Sequence, residues 1–185
     1  MKKNITKLGA MALVGIMGMG LAAVPVSAAA QKTTNVFYTT SSASVDADGK
    51  IVMVVPAAVN LTKEEASKEF EVTMQTSDPQ GNLPADFKAK VKVSSANKGN
   101  LKDDKLNKQY KYALEKDGQA IALAQETDFH DFAVSNGNTH AVEQRATAKV
   151  EKESIDKMET EAPGTVFKDT LTFKVASFSG TGLTQ

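Results

Sequence analysis

The sequence predicts an all-β protein, an antiparallel sandwich or barrel with one or two short helical turns in its loops. Three observations predict it. The apolar residues recur with a period of two, Gly/Asn/Asp/Pro clusters punctuate the apolar runs, and the absence of cysteine excludes a small disulfide-stapled scaffold.

The first element is not part of that body. Met1-Lys2-Lys3-Asn4-Ile5-Thr6-Lys7 is a positive run, residues 8–24 carry no charge over 17 positions, and Pro25-Val26-Ser27-Ala28-Ala29-Ala30 follows. That order predicts a secretory signal peptide over residues 1–30, cleaved after Ala28 or after Ala30. The lysines stay on the cytoplasmic side, the apolar run partitions into the bilayer, and small residues at alternate positions fit a peptidase cleft. A retained membrane anchor is the competing reading, because 17 residues lie at the lower edge of what spans a bilayer. Four glycines in the leader weaken such a helix.

Residues 31–185 are expected to form one domain, since two halves of 155 residues without cysteine would each be small and unstapled. The chain of 185 residues has 22 basic and 22 acidic side chains, and three of the basic ones lie in the leader. The remainder thus carries 19 basic against 22 acidic groups, a formal charge of −3. A lipoprotein anchor needs a cysteine after the apolar run, and residues 177–185 carry neither an apolar tail nor a Leu-Pro-x-Thr-Gly signal. The product is therefore expected outside the cell, secreted or loosely associated with the wall, and without an integral membrane anchor after processing.

Within residues 31–185 the strands read in order. Residues 36–40 are strand-like, and Ile51-Val52-Met53-Val54-Val55 is apolar on both faces, as a strand flanked by neighbours requires. A capping box at Thr62-Lys63-Glu64-Glu65 predicts a single helical turn. Phe70, Val72 and Met74 alternate with Glu69, Glu71 and Thr73; Phe87, Ala89, Val91 and Val93 alternate with Lys88, Lys90 and Lys92. Tyr110, Tyr112 and Leu114 alternate likewise, and Leu171, Phe173 and Val175 do so near the end. Residues 151–161 are charged enough for a short solvated helix or a strand-to-strand loop. Turns are expected at Asp48-Gly49, residues 78–82, residues 97–99, residues 116–118, Asn136-Gly137 and Pro163-Gly164.

Three groups of residues invite chemistry. Residues 44–51, with Asp46, Asp48 and Gly49, resemble the middle of a calcium loop. Ser44 and Val55 stand where its first acid and its bidentate glutamate belong, so an Asp-Gly hairpin turn explains the same residues. Asp128, His130, Asp131 and His140 include the only two histidines, the one place where a metal or general base could be assembled. If Asn136-Gly137 closes a two-residue hairpin, His130 pairs with Glu143 and His140 with Ala133, and the imidazoles point to opposite sides of the sheet. Lys88, Lys90 and Lys92 form a stripe that an anionic polymer would attract, with Glu69 and Glu71 as expected cross-strand partners. No Gly-x-Ser-x-Gly element occurs, and the acids mostly alternate with apolar positions as on a solvated face. The net charge and the want of aromatic interleaving argue against nucleic acid. No catalytic, cofactor or metal residue is assigned.

The closing segment Pro163-Gly164-Thr165-Val166-Phe167-Lys168-Asp169-Thr170-Leu171-Thr172-Phe173-Lys174-Val175 resembles the last strand of bacterial surface β-sandwiches and fimbrial-type subunits. Thr33 to Thr39 as Thr-Thr-Asn-Val-Phe-Tyr-Thr, with Ile51-Val52-Met53-Val54-Val55-Pro56 and Asn60-Leu61-Thr62, is similar in layout to small secreted Gram-positive proteins that accompany WxL-domain complexes. Neither a Trp-x-Leu wall motif nor a fimbrial cysteine pair is present. The resemblance implies an antiparallel Ig-like or pilin-like β-sandwich and a non-enzymatic structural or adhesion-type module. Its partner would be a cell-surface protein or wall polymer. Two alternatives stand beside it. One is a pilin-like subunit forming a homo-oligomer by strand addition of its amino-terminal arm. The other is a metal-dependent or enzymatic extracellular protein using residues 128–140.

Overall fold

The structure, a computed structural model, describes residues 21–29, 40–103, 105–162 and 165–184. Its elements in chain order are β1 (Leu21–Ala29), β2 (Thr40–Ser44), β3 (Ile51–Pro56), β4 (Val59–Leu61), β5 (Ser67–Thr76), β6 (Lys88–Ser95) and β7 (Asn100–Lys102). β8 (Gln109–Lys116), β9 (Gln119–Ile121), β10 (Thr127–Ala133), β11 (Ala141–Val150), the helix α1 (Lys152–Glu159) and β12 (Val166–Ser179) complete them. The protein is all-β and mostly antiparallel. The strand expected at residues 36–40 lies outside the described residues except for Thr40, as do the turn at Pro163-Gly164 and the first 20 residues of the expected leader.

The period of two becomes one dry face. Phe70, Val72 and Met74 on β5, Ala89, Val91 and Val93 on β6, and Phe167, Leu171 and Phe173 on β12 are buried in a single core. Apart from Asp169, the polar residues between them are exposed or half-buried. β3 has the central place expected of it, between β2 and β5, with Ile51, Met53 and Val55 buried and Val52 and Val54 half-buried. Asp117 and Gly118 both adopt positive φ and close the β8–β9 hairpin, with Lys116 opposite Gln119, as a two-residue primed turn.

The path through the main sheet runs β10-β6-β12-β7-β8-β11-β5-β3-β2. Four steps separate β12 from β5, about 19 Å in a flat sheet. Yet the Phe173 and Phe70 rings lie edge to face with centroids 6.2 Å apart. The sheet therefore doubles over, and its two limbs share the core. β8 is the strand that crosses between them: Gln109, Tyr110 and Lys111 pair with β7, whereas Tyr112, Ala113, Leu114 and Glu115 pair with β11.

At that crossing sits a buried acid. Leu171 of β12 is opposite Ser95 of β6, and Lys168 is opposite Lys102 of β7, so three steps on one strand face seven on the other. The surplus loops out around Asp169, which is 1% exposed. Its Oδ1 accepts from the Asn97 and Thr170 amides at 2.9 and 2.8 Å, and its Oδ2 accepts from the Ser95 and Tyr112 hydroxyls at 2.5 and 2.7 Å. Ser95 Oγ in turn accepts from the Gly99 amide at 2.7 Å. Lys98 and Gly99 take φ of 55° and 78°, and a Cβ on Gly99 would stand 3.3 Å from that of Leu123, so glycine is required there by both conformation and space.

Other local expectations resolve in detail. Residues 151–161 form the helix α1, whose Ile155 and Met158, three apart, pack on the core. Glu161 just beyond it, with an 8% exposed side chain, accepts from Lys108 at 2.6 Å and from the Tyr110 hydroxyl at 2.8 Å, tying the helix end to β8. Thr62 Oγ1 does accept from the Glu65 amide at 3.0 Å, but a bend follows and not a helical turn, because β5 begins at Ser67. Asn136-Gly137 does not close a hairpin. β10 pairs with β6 and β11 pairs with β5 and β8, so the segment between them carries the chain from one limb to the other.

Removing the buried carboxylate strands four donors at once. Asp169→Ala is expected to lower stability by about 3–5 kcal/mol in urea unfolding, and Tyr112→Phe by about 1–3 kcal/mol. Burial and then the bond to Glu161 push the Tyr110 phenol up to about 12. In ultraviolet titration of the folded protein its ionisation is expected about two units above that of an ordinary tyrosine.

Candidate functional site

The lysine stripe lies on the outer face of β6, between β10 and β12. Lys90 pairs with Asp128 at 2.7 Å and Lys92 with Glu126 at 3.2 Å. Glu69 and Glu71, the partners expected from sequence, belong to the other limb. β5 is bonded to β11, and both glutamates face Arg145 at 3.5 and 3.8 Å. Strand pairing decided this, since a cross-strand ion pair forms only between neighbours. The Lys90 ammonium, by hydrogen bond foremost, holds the Asp128 carboxyl below the usual carboxylate range.

The two histidines have separate duties. His130 stacks edge-on against Phe132, with centroids 4.7 Å apart, and burial followed by the charge of Lys116 pushes its imidazole below the ordinary value. His140 precedes β11, and its Nδ1–H donates to the Gly81 carbonyl at 3.0 Å; a carbonyl only accepts, which fixes the tautomer. The expected pairing of His130 with Glu143 fails with the hairpin: His130 is opposite Val91, and Glu143 is opposite Thr73. Glu143 lies beside Glu71, and a hydrogen bond between the two carboxyls raises it above the usual range. Among the described residues no group of three or more His, Asp or Glu side chains could hold a metal ion.

Residues 45–50 form the loop of the β2–β3 hairpin, longer than a two-residue turn. The Val45 amide donates to the Ile51 carbonyl at 2.8 Å, and Gly49 takes φ of 69°. Asp46 is 4% exposed; its Oδ1 accepts from the Ile51 amide at 2.9 Å, while Oδ2 has no hydrogen-bond partner among the described residues. Asp48 is turned to the Lys50 ammonium at 3.1 Å.

The feature that sequence reasoning missed is a place in the sheet. β1 lies between β12 and β4: all nine of its residues pair antiparallel with β12, from Leu21 opposite Lys174 to Ala29 opposite Val166. Val26, Ser27 and Ala28 pair in parallel with Val59, Asn60 and Leu61 of β4, the one parallel pairing among the described strands. Phe173, Leu171, Asp169 and Phe167, the buried row of β12, stand in register with Ala22, Val24, Val26 and Ala28. No periodicity marks residues 21–29 as a strand; only the exposed edge of β12 in the folded sheet calls for one. The opposite side of β12 is taken by β6 and β7.

His130 supplies a measurable consequence. With its folded value depressed, the folded state binds the proton less readily than the unfolded chain. Its contribution to stability is then complete above the ordinary value of about 6.5 and declines as the pH falls through that value towards the depressed one. Imidazole titration by NMR is expected to place the His130 midpoint below 6.5, and His130→Gln to remove this part of the acid destabilisation. No protein-family model matches the chain, and a search of curated proteins finds no match either.

Proposed function

We propose that the chain is an exported, non-enzymatic structural or interaction module of the bacterial cell surface, built as an Ig-like or pilin-like β-sandwich and working through a sheet edge. One observation carries this reading: the strand that occupies the edge of β12 falls within the expected leader. Export with cleavage after Ala28 or Ala30 would take away all or nearly all of β1. Two rows of backbone donors and acceptors, on β12 and on β4, would then be ready for another strand. The likeness of residues 163–175 to surface-sandwich closing strands supports the same reading. A cell-surface protein, a wall polymer or a further copy of the chain are the partners that such an edge suits.

A second reading, extracellular catalysis or metal binding at residues 128–140, is weaker. Asp128 is engaged by Lys90, His140 by the Gly81 carbonyl, and His130 by Phe132.

Fractionation of the producing cell tests the proposal. A product beginning at Ala29 or Gln31, found in the medium or released from the wall by salt, is expected. Full-length chain in the membrane fraction would overturn it. So would turnover of peptidoglycan, peptide or glycoside substrates that is lost in His130→Gln or His140→Gln.

A further inference from the structure

We propose that maturation opens a strand-acceptor slot between β12 and β4, and that a second copy of this chain fills it with residues 31–39, running antiparallel to β12. The inference rests on the reading of residues 1–30 as a cleaved leader and names the partner that the open edge takes.

The slot follows from register. Cleavage after Ala30 removes all nine residues paired with β12, and cleavage after Ala28 leaves only Ala29. The row of β12 that loses its neighbour includes Phe167, Leu171 and Phe173, each 0% exposed, and the carboxylate of Asp169 at 1%. Opening that row wets the core and the acid together, and it leaves the facing backbone groups of β12 and β4 unpaired. A vacancy flanked on both sides by paired strands selects an extended segment over a helix or a flat surface, since only a strand bonds both edges at once.

Polarity selects the donor. β1 runs parallel to β4 and reaches Leu61 at Ala28, whereas Thr40, where β2 starts, stands opposite Pro56. Pro56 and Leu61 are five residues apart across the bend that joins β3 to β4, at most about 17 Å at strand rise. If the chain's own residues 31–39 replaced β1 in the same direction, residue 39 would end near Leu61. Thr40, about 3.8 Å further on, would have to be back at Pro56. In the uncleaved chain ten residues, 30–39, lie between Ala29 and Thr40. Reserving five residues of the arm for the return leaves at most four of its nine to pair with β12. A neighbour's arm has no such tether. It also has the right length and composition: Gln31-Lys32-Thr33-Thr34-Asn35-Val36-Phe37-Tyr38-Thr39 is nine residues, as β1 is, with Thr, Val, Phe and Tyr and with neither Gly nor Pro.

Because the protein has no cysteine, introduced thiols report the geometry alone. Secreted mature protein is purified and its amino terminus read by mass spectrometry. Its size is measured by light scattering. Asn35→Cys and Val36→Cys, one for each face of the arm, are each mixed with a Thr170→Cys copy, Thr170 being an exposed β12 residue in the β1 register. The expected result is a dimer or longer assembly and a disulfide between the two different copies, abolished by reduction. A single chain carrying Asn35→Cys or Val36→Cys together with Thr170→Cys is the control: a monomer crosslinked only within that chain would show the arm folding back with reversed direction and would overturn the proposal. A monomer without crosslink overturns it too. An amino terminus upstream of Leu21 means that β1 is retained; that outcome sinks the leader reading itself, and the terminus distinguishes it from a failure of assembly alone.

Discussion

The carboxylate of Asp169 holds the crossing between the two limbs of the sheet. A buried charge is tolerated only when its lone pairs are engaged, and here two amides and two hydroxyls converge on it. Those donors come from β12 itself, from the end of β6, from the loop before β7 and from β8. One side chain thus fixes where β6 gives way to β7 and where β8 begins its passage to the other limb. The stacking of Phe173 on Phe70 is a consequence, because the rings of β12 and β5 meet only once the sheet has doubled. Burial first, and then the same carboxylate, raise the Tyr112 phenol, so that the hydroxyl stays a donor.

Around this core the charged groups form a solvated skin of ion pairs. Lys90 with Asp128, Lys92 with Glu126 and Arg145 with Glu69 are exposed, and each pair joins neighbouring elements of one limb. Pairs of this kind add little stability and are screened by salt. Their effect is on register, since like charges opposite one another would oppose the same pairing. The acidic and basic residues that invited a chemical reading from sequence are spread over two outer faces by the doubling of the sheet. What remains distinctive is the edge of β12, where a buried aromatic row stands in register with a segment whose composition is that of a leader.

Legibility in the sequence followed the range of the interaction. Phe70, Val72 and Met74, or Ala89, Val91 and Val93, declare a strand locally, because a half-buried strand needs alternation and little else. Residues 151–161 read locally only as a charged segment, either a short solvated helix or a loop, and the burial of Ile155 and Met158 decides for the helix α1. β7 and β9 are three residues each, too short for a period to register. The pairing of β10 with β6 and of β11 with β5 and β8 was hidden, since Asn136-Gly137 carries the turn chemistry of a hairpin whether or not the flanking strands pair. For the same reason the partners of Lys90 and Lys92 were misassigned to Glu69 and Glu71. A carboxylate's suitability is local, but its position relative to a lysine is set by strand order. The acid of Asp-Thr-Leu-Thr-Phe read as one polar residue in an alternating strand, and nothing local marks it as the buried one.

The amino-acid sequence by itself determined that this is a cysteine-free, all-β, mostly antiparallel protein, and it determined which residues face the core in the strands that alternate, such as β5 and β6. These are properties of neighbours two positions apart along the chain, enforced by the hydrophobic effect on a pleated backbone. Only the tertiary structure decided the strand order, the doubling of the sheet, the burial of Asp169 and the place of residues 21–29 between β12 and β4. Each of these depends on backbone hydrogen bonds between segments far apart in sequence, as when Asp169 accepts from Tyr112 across 57 positions, and no local pattern of residues encodes such a choice of partner.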